Sequence, residues 1–548
     1  MRFFKDLFNR LPYRRYHEKE DRLRRLVGQI LSFIAVVMGI YYLIWHLHYI
    51  NWAIWYISVP FFLAEVTGWL LFTFFALISW YPRYHNLQGL TPERPFSVDV
   101  FVSTCGEPLD IVQKTLAAVH AIDYQPKAIY VLDDGADPRV EALARDFGFN
   151  YLTRPEHRDA KAGNLNYGLA HSTGELILTL DADQVPQPEI IRRLVGYFNI
   201  RGIAFVQTKQ NFRLPVGDPF GNSDKIFYNV MQAGKDDDNA AFSCGSGVIY
   251  RRQALEEIGG FSTWNLVEDL HTSMLLHQRG WRSIYYNYPL ATGSTPADIW
   301  GVYRQRRQWA VDSLRIIFWD NPFFRRGLSL EQKLQYFHIG FVYLVSGWVM
   351  PVFFIVPIWT LFTNLPVLTA AVPIYILNRL PYFIVMAAAY AALTFPTAYL
   401  HAFQMWSGLF PVFIQATIVA LRHRRSKPAY RVTPKKRRQR LEKLAIIAIL
   451  PQLTIIVGAA LAIIWGLFGN PGPVDFRMLN CAWAAWAIMI LAGICTAAMA
   501  RVYWEEEVVE RPWFTPREVI ENVLSIMIFL FAVILIAKMI MDLSKWPS

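Results

Sequence analysis

Cysteine is scarce. The 548 residues hold four, Cys105, Cys244, Cys481 and Cys495, and no two form a Cys-x-x-Cys pair. Neither a disulfide framework nor a cysteine zinc site is implied. Charge is sparse too: Asp, Glu, Lys and Arg make up 18% of the chain, and 43 acidic residues face 54 basic ones. The excess of +11 gathers mostly beside apolar runs, so the positive-inside bias of membrane proteins accounts for it and nucleic-acid binding is not expected. A cleavable signal peptide is not expected either. Residues 1–25 are long and basic, and the apolar run behind them exceeds a signal core.

Apolar residues fill the chain instead, at 54%, with 15% aromatic. Several runs exceed 18 residues, enough to cross a bilayer. They predict an α-helical polytopic membrane domain of about seven spans. Two lie within 26–80 (26–49 and 52–80), two within 336–421 (336–361 and 369–393) and three within 444–541 (444–467, 478–500 and 519–541). The stretch 402–421 is amphipathic and reads as interfacial. The basic segments 1–25 and 422–443 belong on the cytoplasmic face. Glu65, Asn378 and Arg379 fall inside predicted spans, where a polar group faces protein or a water-filled cavity.

Residues 98–326 have a soluble domain's composition. The organising stretch is 175–186, Glu-Leu-Ile-Leu-Thr-Leu-Asp-Ala-Asp-Gln-Val-Pro. Its apolar run reads as a strand buried on both faces of a parallel sheet. It ends at Asp181 and Asp183, and Pro186 suits the first turn of a following helix. Ligands of open α/β sheets bind beyond the carboxyl ends of the strands. Two carboxylates there suit a hard divalent cation, Mg²⁺ or Mn²⁺, whose shell substrate phosphates and water complete. Strands at 98–103, 128–132, 149–153, 176–180 and 203–207 alternate with helices at 109–120, 139–147 and 161–171, which predicts a doubly wound, mostly parallel α/β sheet. Residues 301–318 mix Arg with Trp, Leu and Ile at helical spacing and read as a helix lying along the membrane surface.

Seven polar landmarks punctuate this domain in order. They are Ser-Thr-Cys-Gly-Glu-Pro at 103–108, Leu-Asp-Asp-Gly at 132–135, Lys-Ala-Gly-Asn-Leu-Asn at 161–166 and Asp-Ala-Asp at 181–183. Phe-Ser-Cys-Gly-Ser-Gly at 242–247, Val-Glu-Asp at 267–269 and Gln-Arg-Arg-Gln-Trp at 305–309 complete the set. In this order and spacing it resembles the processive family 2 glycosyltransferases, above all the bacterial cellulose synthases. The resemblance implies a GT-A-type catalytic domain, an inverting transfer from a UDP-sugar (UDP-glucose first) and a growing β-linked polysaccharide as acceptor, passed across the bilayer. Thr104, Glu107, Asp133, Asp134, Lys161 and Asp181 would bind the UDP-sugar, and Asp181 and Asp183 the metal. Asp269 would be the base. Cys244, Gly245 and Trp309 would line the acceptor site, with Cys244 a small lining residue rather than a nucleophile.

Two departures stand out. Val267 replaces the Thr of the family's Thr-Glu-Asp motif. Gln308 stands where the family's Gln-x-x-Arg-Trp places a diphosphate-binding Arg, so within the motif Gln305, Arg306, Arg307 and Gln308, Arg306 or Arg307 is the candidate to compensate. Tyr430, Val432, Thr433 and Lys435 resemble the family's gating loop, which enters the site over bound donor. No stretch resembles the PilZ domain common in the family, so cyclic-di-GMP control would come from another protein. Accessory subunits or a homo-oligomer stay open, as do chitin, hyaluronan-like or other glucan products, a non-processive lipid transferase, and a weak scaffold or transporter.

Overall fold

The computed structural model describes residues 13–14, 19–85, 89–215, 217–296, 298–395, 397, 399–428 and 445–499. Tyr430, Val432, Thr433, Lys435 and the predicted span at 519–541 lie outside the described residues, as does nearly all of the basic segment 1–18.

Seven strands form the central sheet: β1 Val98–Thr104, β2 Lys127–Asp133, β3 Asn150–Leu152, β4 Leu176–Asp181, β5 Ile203–Thr208, β6 Val248–Arg251 and β7 Arg282–Tyr286. Their order is β7-β5-β6-β4-β1-β2-β3. All neighbours run parallel except β6, which pairs antiparallel with both β4 and β5. Alternation puts Val98, Val100, Val102, Leu176, Leu178 and Leu180 into one core layer, and Phe101 and Ile177 into the other. Thr179, the polar residue inside the apolar run, hydrogen-bonds through Oγ1 to the Gly245 carbonyl at 3.2 Å. The sheet is therefore covered on both sides, as an α/β sheet requires.

Three helices cover the first half: α1 Leu109–His120, α2 Pro138–Asp146 and α3 Ala160–Ala170. Two more follow, α4 Asp269–Gln278 and α5 Ile299–Trp319. Pro186 corrects the reading above. It starts no helix, but pairs with Ala291 in a small sheet of Val185–Pro186, Ala291–Ser294 and Asn211–Arg213. The next helix begins only at Ile190.

The helix read at 301–318 is α5, Ile299–Trp319. Every residue from Ala310 to Ile317 on α5 is buried. It is enclosed over its second half, against the Phe410–Arg422 and Leu330–Leu344 helices.

Six helices among the described residues are long and apolar enough to cross a membrane: Arg22–His48, Trp52–Ile78, Leu330–Thr363, Val372–Thr394, Leu450–Phe468 and Val474–Met499. The pair Leu400–Gly408 and Phe410–Arg422, bent by 51°, would make a seventh if it is one broken span. Gln452 Nε2 donates to the Gly408 carbonyl at 2.6 Å beside that bend. Glu65 is buried and pairs with half-buried Arg379 at 3.1 Å, with Arg379 over the rings of Tyr42, Tyr382 and Phe383. The intramembrane carboxylate thus faces protein.

Candidate active site

The carboxyl ends of β1, β2 and β4 open onto one cleft. On its β2 side the two adjacent aspartates have different jobs. Asp133 is fully buried. It accepts from the Gly135 N–H (2.8 Å), the Asp137 N–H (2.8 Å) and the Tyr151 hydroxyl (2.9 Å). Expected to meet the donor's uridine, it instead fixes the turn after β2. Asp134 takes a two-pronged grip from Arg154 at 2.6 and 2.7 Å. Arg154 also donates to the Arg158 and Ala160 carbonyls, which ties Asp134 to the start of α3. Sequence reasoning missed Arg154, because nothing local marks an arginine that reaches another strand's end. Nearby, Glu107 accepts from Thr104 Oγ1 at 2.8 Å and from the Cys105 N–H at 2.6 Å.

Lys161 sits at the centre. Its Nζ is 2.6 Å from Asp181 Oδ1 and 3.2 Å from Glu268 Oε1, and it donates to the Gly245 carbonyl at 2.8 Å. Burial by itself would lower its pKa; the carboxylates of Asp181 and Glu268 outweigh that and hold the ammonium charged. Asp183 is buried and accepts from the Ser294 N–H at 3.1 Å. Asp181 stays 38% exposed, so one member of the pair faces the cleft.

Gly245, in the loop before β6, has φ +78°, and a Cβ there would come 3.1 Å from Lys161 Nζ and 3.3 Å from both Asp269 Oδ2 and Glu268 Oε1. One small gap thus separates the donor-side lysine from the expected base. Burial, and then the adjacent Glu268 carboxylate, push the Asp269 pKa well above the usual carboxylate range. Glu268 is 1% exposed, and neither of its oxygens has an aligned hydrogen bond, leaving Lys161 as its ion-pair partner. Burial and Asp269 push the Cys244 thiol up, which keeps it protonated and a poor nucleophile.

On α5, Arg306 is 3% exposed. It pairs with Asp224 at 2.6 Å and lies over the rings of Trp309 (5.0 Å) and Trp406 (5.4 Å). This corrects the expectation that it could stand in for the missing diphosphate arginine, since its charge is already spent. Arg307 is exposed, while Gln305, Gln308 and Trp309 are half-buried. Trp309 and Val267 each pack against the same apolar cluster, so the acceptor-end motif and the base motif share one core. The cation start of the basic segment also reaches this cleft: Lys427 pairs with Asp159, the residue before α3.

With this geometry in view, sequence comparison shows what the chain is similar to. The sequence model described as Glycosyltransferase like family 2 matches residues 95–311. The chain carries a family 2 glycosyltransferase domain. A second model, described as Cellulose synthase, matches residues 256–395 and so runs from this domain into the apolar helices. The chain is 30% identical over 504 residues to the cellulose synthase 1 catalytic subunit (UDP-forming) of Komagataeibacter xylinus, covering 86% of this chain and 66% of that protein. It is 32% identical over 421 residues to the corresponding subunit of Komagataeibacter sucrofermentans, covering 72% and 55%. The chain thus spans less than two thirds of the length of these relatives. Among solved structures, a mannosyltransferase from Pyrobaculum calidifontis in complex with GDP-Man and Mn²⁺ aligns with a TM-score of 0.48 at 18% identity, over 66% of this chain and 99% of that one. Among the described residues no three His, Cys, Asp or Glu side chains gather as a metal cage. The family 2 domain offers the carboxylate pair Asp181 and Asp183 instead.

Proposed function

We propose that this protein is a membrane-embedded, inverting, processive glycosyltransferase that builds a β-linked glucan from UDP-glucose and passes it across the bilayer. The observation that carries this is the convergence of Lys161, Asp181, Glu268 and Asp269 around Gly245, beside Trp309 and against the apolar helices. The catalytic domain faces the cytoplasm, where nucleotide sugars are made.

Asp269 takes the proton of the acceptor hydroxyl. The acceptor oxygen forms its bond to the anomeric carbon from the face opposite the diphosphate, and the bond from that carbon to the phosphate oxygen breaks, so UDP leaves with the electron pair. The raised pKa of Asp269 makes it a stronger base than a free carboxylate. Lys161 brings a charged donor to the diphosphate side, and Asp134, held by Arg154, and Glu107, held by Thr104, shape the nucleotide end. Asp181 and Asp183 fit a hard divalent cation, Mg²⁺ or Mn²⁺: a cation, the Lys161 ammonium, already rests on Asp181. Bound there, such an ion supplies Lewis-acid stabilisation to the departing diphosphate. Lys427, at the start of the basic segment, pairs with Asp159 just before Lys161.

The test is incubation of membranes containing the protein with a panel of radiolabelled UDP-sugars, followed by linkage-specific hydrolases. The expected result is UDP release and an insoluble polymer from UDP-glucose that a β-1,4-glucanase digests. A polymer resistant to that enzyme but cut by a chitinase or β-1,3-glucanase would replace the glucan reading with one of its relatives. Label found only in lipid would make the protein a non-processive transferase.

A further inference from the structure

Asp312 lies on α5, three residues beyond Trp309, and is 3% exposed. Its carboxylate collects two consecutive backbone donors. The Leu266 N–H gives to Oδ1 at 2.9 Å and the Val267 N–H to Oδ2 at 2.8 Å. Asn265 Nδ2 donates to the Asp312 carbonyl at 3.3 Å. Three residues further along, Arg315 donates to the Trp264 carbonyl at 2.9 Å and to Asn265 Oδ1 at 3.3 Å, and its guanidinium lies 4.5 Å over the Trp264 ring. Residues 264–267 are thus fastened to α5 at two points about one turn apart. The chain then enters α4 directly through Glu268 and Asp269.

A buried carboxyl is a costly way to hold a loop, and burial pushes this one up to about 7 despite its two amide donors. What it secures is orientation. A carboxylate that takes two successive N–H groups fixes both the place and the tilt of that peptide. The Val267 side chain packs against the same apolar cluster as Trp309 and offers no hydroxyl. The polar anchor of this motif comes from the other helix.

We propose that Asp312 is a positioning residue, holding the Asp269 carboxyl in register with an acceptor seated at Trp309. The proposal rests on the reading of Asp269 as base. It makes α5 a common frame: the helix that presents Trp309 also sets the angle at which α4 begins.

The experiment compares the parent with Asp312→Asn and Asp312→Ala in the full-length membrane protein. Asn keeps the size and one acceptor oxygen but turns an amide donor against the second N–H. In Asp312→Asn, kcat should fall about 10- to 100-fold, with the donor KM and the Kd for UDP within about twofold of the parent. Backbone hydrogen exchange of peptides covering 264–270, measured without nucleotide, should speed up in the same variant, while peptides covering 161–170 stay unchanged. An unchanged kcat overturns the proposal. So does an equal loss of kcat and of UDP affinity, which marks general loosening. Should Asp312→Ala fail to fold, the Asn variant decides alone. Should the parent turn over no UDP-sugar, the functional reading fails, and the exchange measurement still decides whether Asp312 holds the loop: unchanged exchange at 264–270 overturns it.

Discussion

Two charge clusters, one among the apolar helices and one in the glycosyltransferase domain, are built on different principles. Between the spans, Glu65 and Arg379 are matched one to one at 3.1 Å, with the guanidinium enclosed by Tyr42, Tyr382 and Phe383. In the cleft, one Lys161 ammonium serves Asp181 and Glu268 while Asp269 lies beside it, and Asp181 remains 38% exposed. The first cluster is closed and neutral, which is what a pin between helices needs. The second is open and short of positive charge, which is what a site awaiting a cation and an acid–base step needs. The number of charges facing each other, more than burial, separates the structural pair from the reactive one.

The comparison breaks most sharply at Asp269. Asp269→Asn should lower transfer about 10²- to 10⁴-fold, with UDP affinity retained in a binding titration. Poor UDP binding with normal turnover at saturation would make Asp269 a donor ligand instead. Next in size is the membrane pair. Arg379→Met leaves Glu65 buried without a partner and should cost about 3–5 kcal/mol, read as a lower midpoint of thermal unfolding in detergent. The double variant Glu65→Gln with Arg379→Met should recover most of that loss, because both charges are gone.

Lys161→Met sharpens the contrast. Without the resident ammonium, Mn²⁺ binding in the absence of nucleotide should tighten, followed by the paramagnetic resonance of free Mn²⁺, while the donor KM rises by about tenfold, as for a lost charged hydrogen bond. Weaker Mn²⁺ binding in the variant would mean that Lys161 supports the carboxylates and does not compete for them.

The pH dependence follows from Asp269, whose pKa burial and Glu268 raise. Transfer needs the deprotonated base, so kcat/KM should fall on acidification with a midpoint above the ordinary aspartate value of about 3.9. Stability runs the other way. A carboxyl raised on folding contributes fully below its unfolded pKa and loses that contribution as pH rises through the folded one. Asp269→Asn should therefore flatten the decline in thermal stability of the parent between mildly acid and mildly alkaline buffer. The smallest effect is on α5. Arg307 is exposed, and Arg307→Ala should stay within about 0.5 kcal/mol of the parent in stability. Arg306→Ala, which strands Asp224 and frees Trp309, should not.

Much of the sheet was legible because its strands are written locally. The apolar runs before Asp133 and Asp181 name their own strands, and the 3.6-residue pattern of 109–120 names its helix. Val248–Arg251 escaped notice because four residues carry no period, and its antiparallel direction is set only by its neighbours β4 and β5. In the site, the carboxylate pair and Lys161 were visible as strand-end and helix-start signals. Asp133 and Asp134 were not separable, since which of two adjacent aspartates turns inward depends on Tyr151 and Arg154 from other elements. Arg306 misled for the same reason. Its partner Asp224 is 82 residues away, and no spacing along α5 announces it.

Gly245 has a consequence for what substitution can explore here. The centre of the cleft is shaped by an absent atom, with a cation on one side and two carboxylates on the other. Alanine, the smallest possible step, would already wedge the group, and the left-handed backbone resists it as well. In a saturation library this column should tolerate a single letter, so a lineage that needed another product could vary the aromatic walls of the acceptor end long before it could touch the gap between them and the nucleotide.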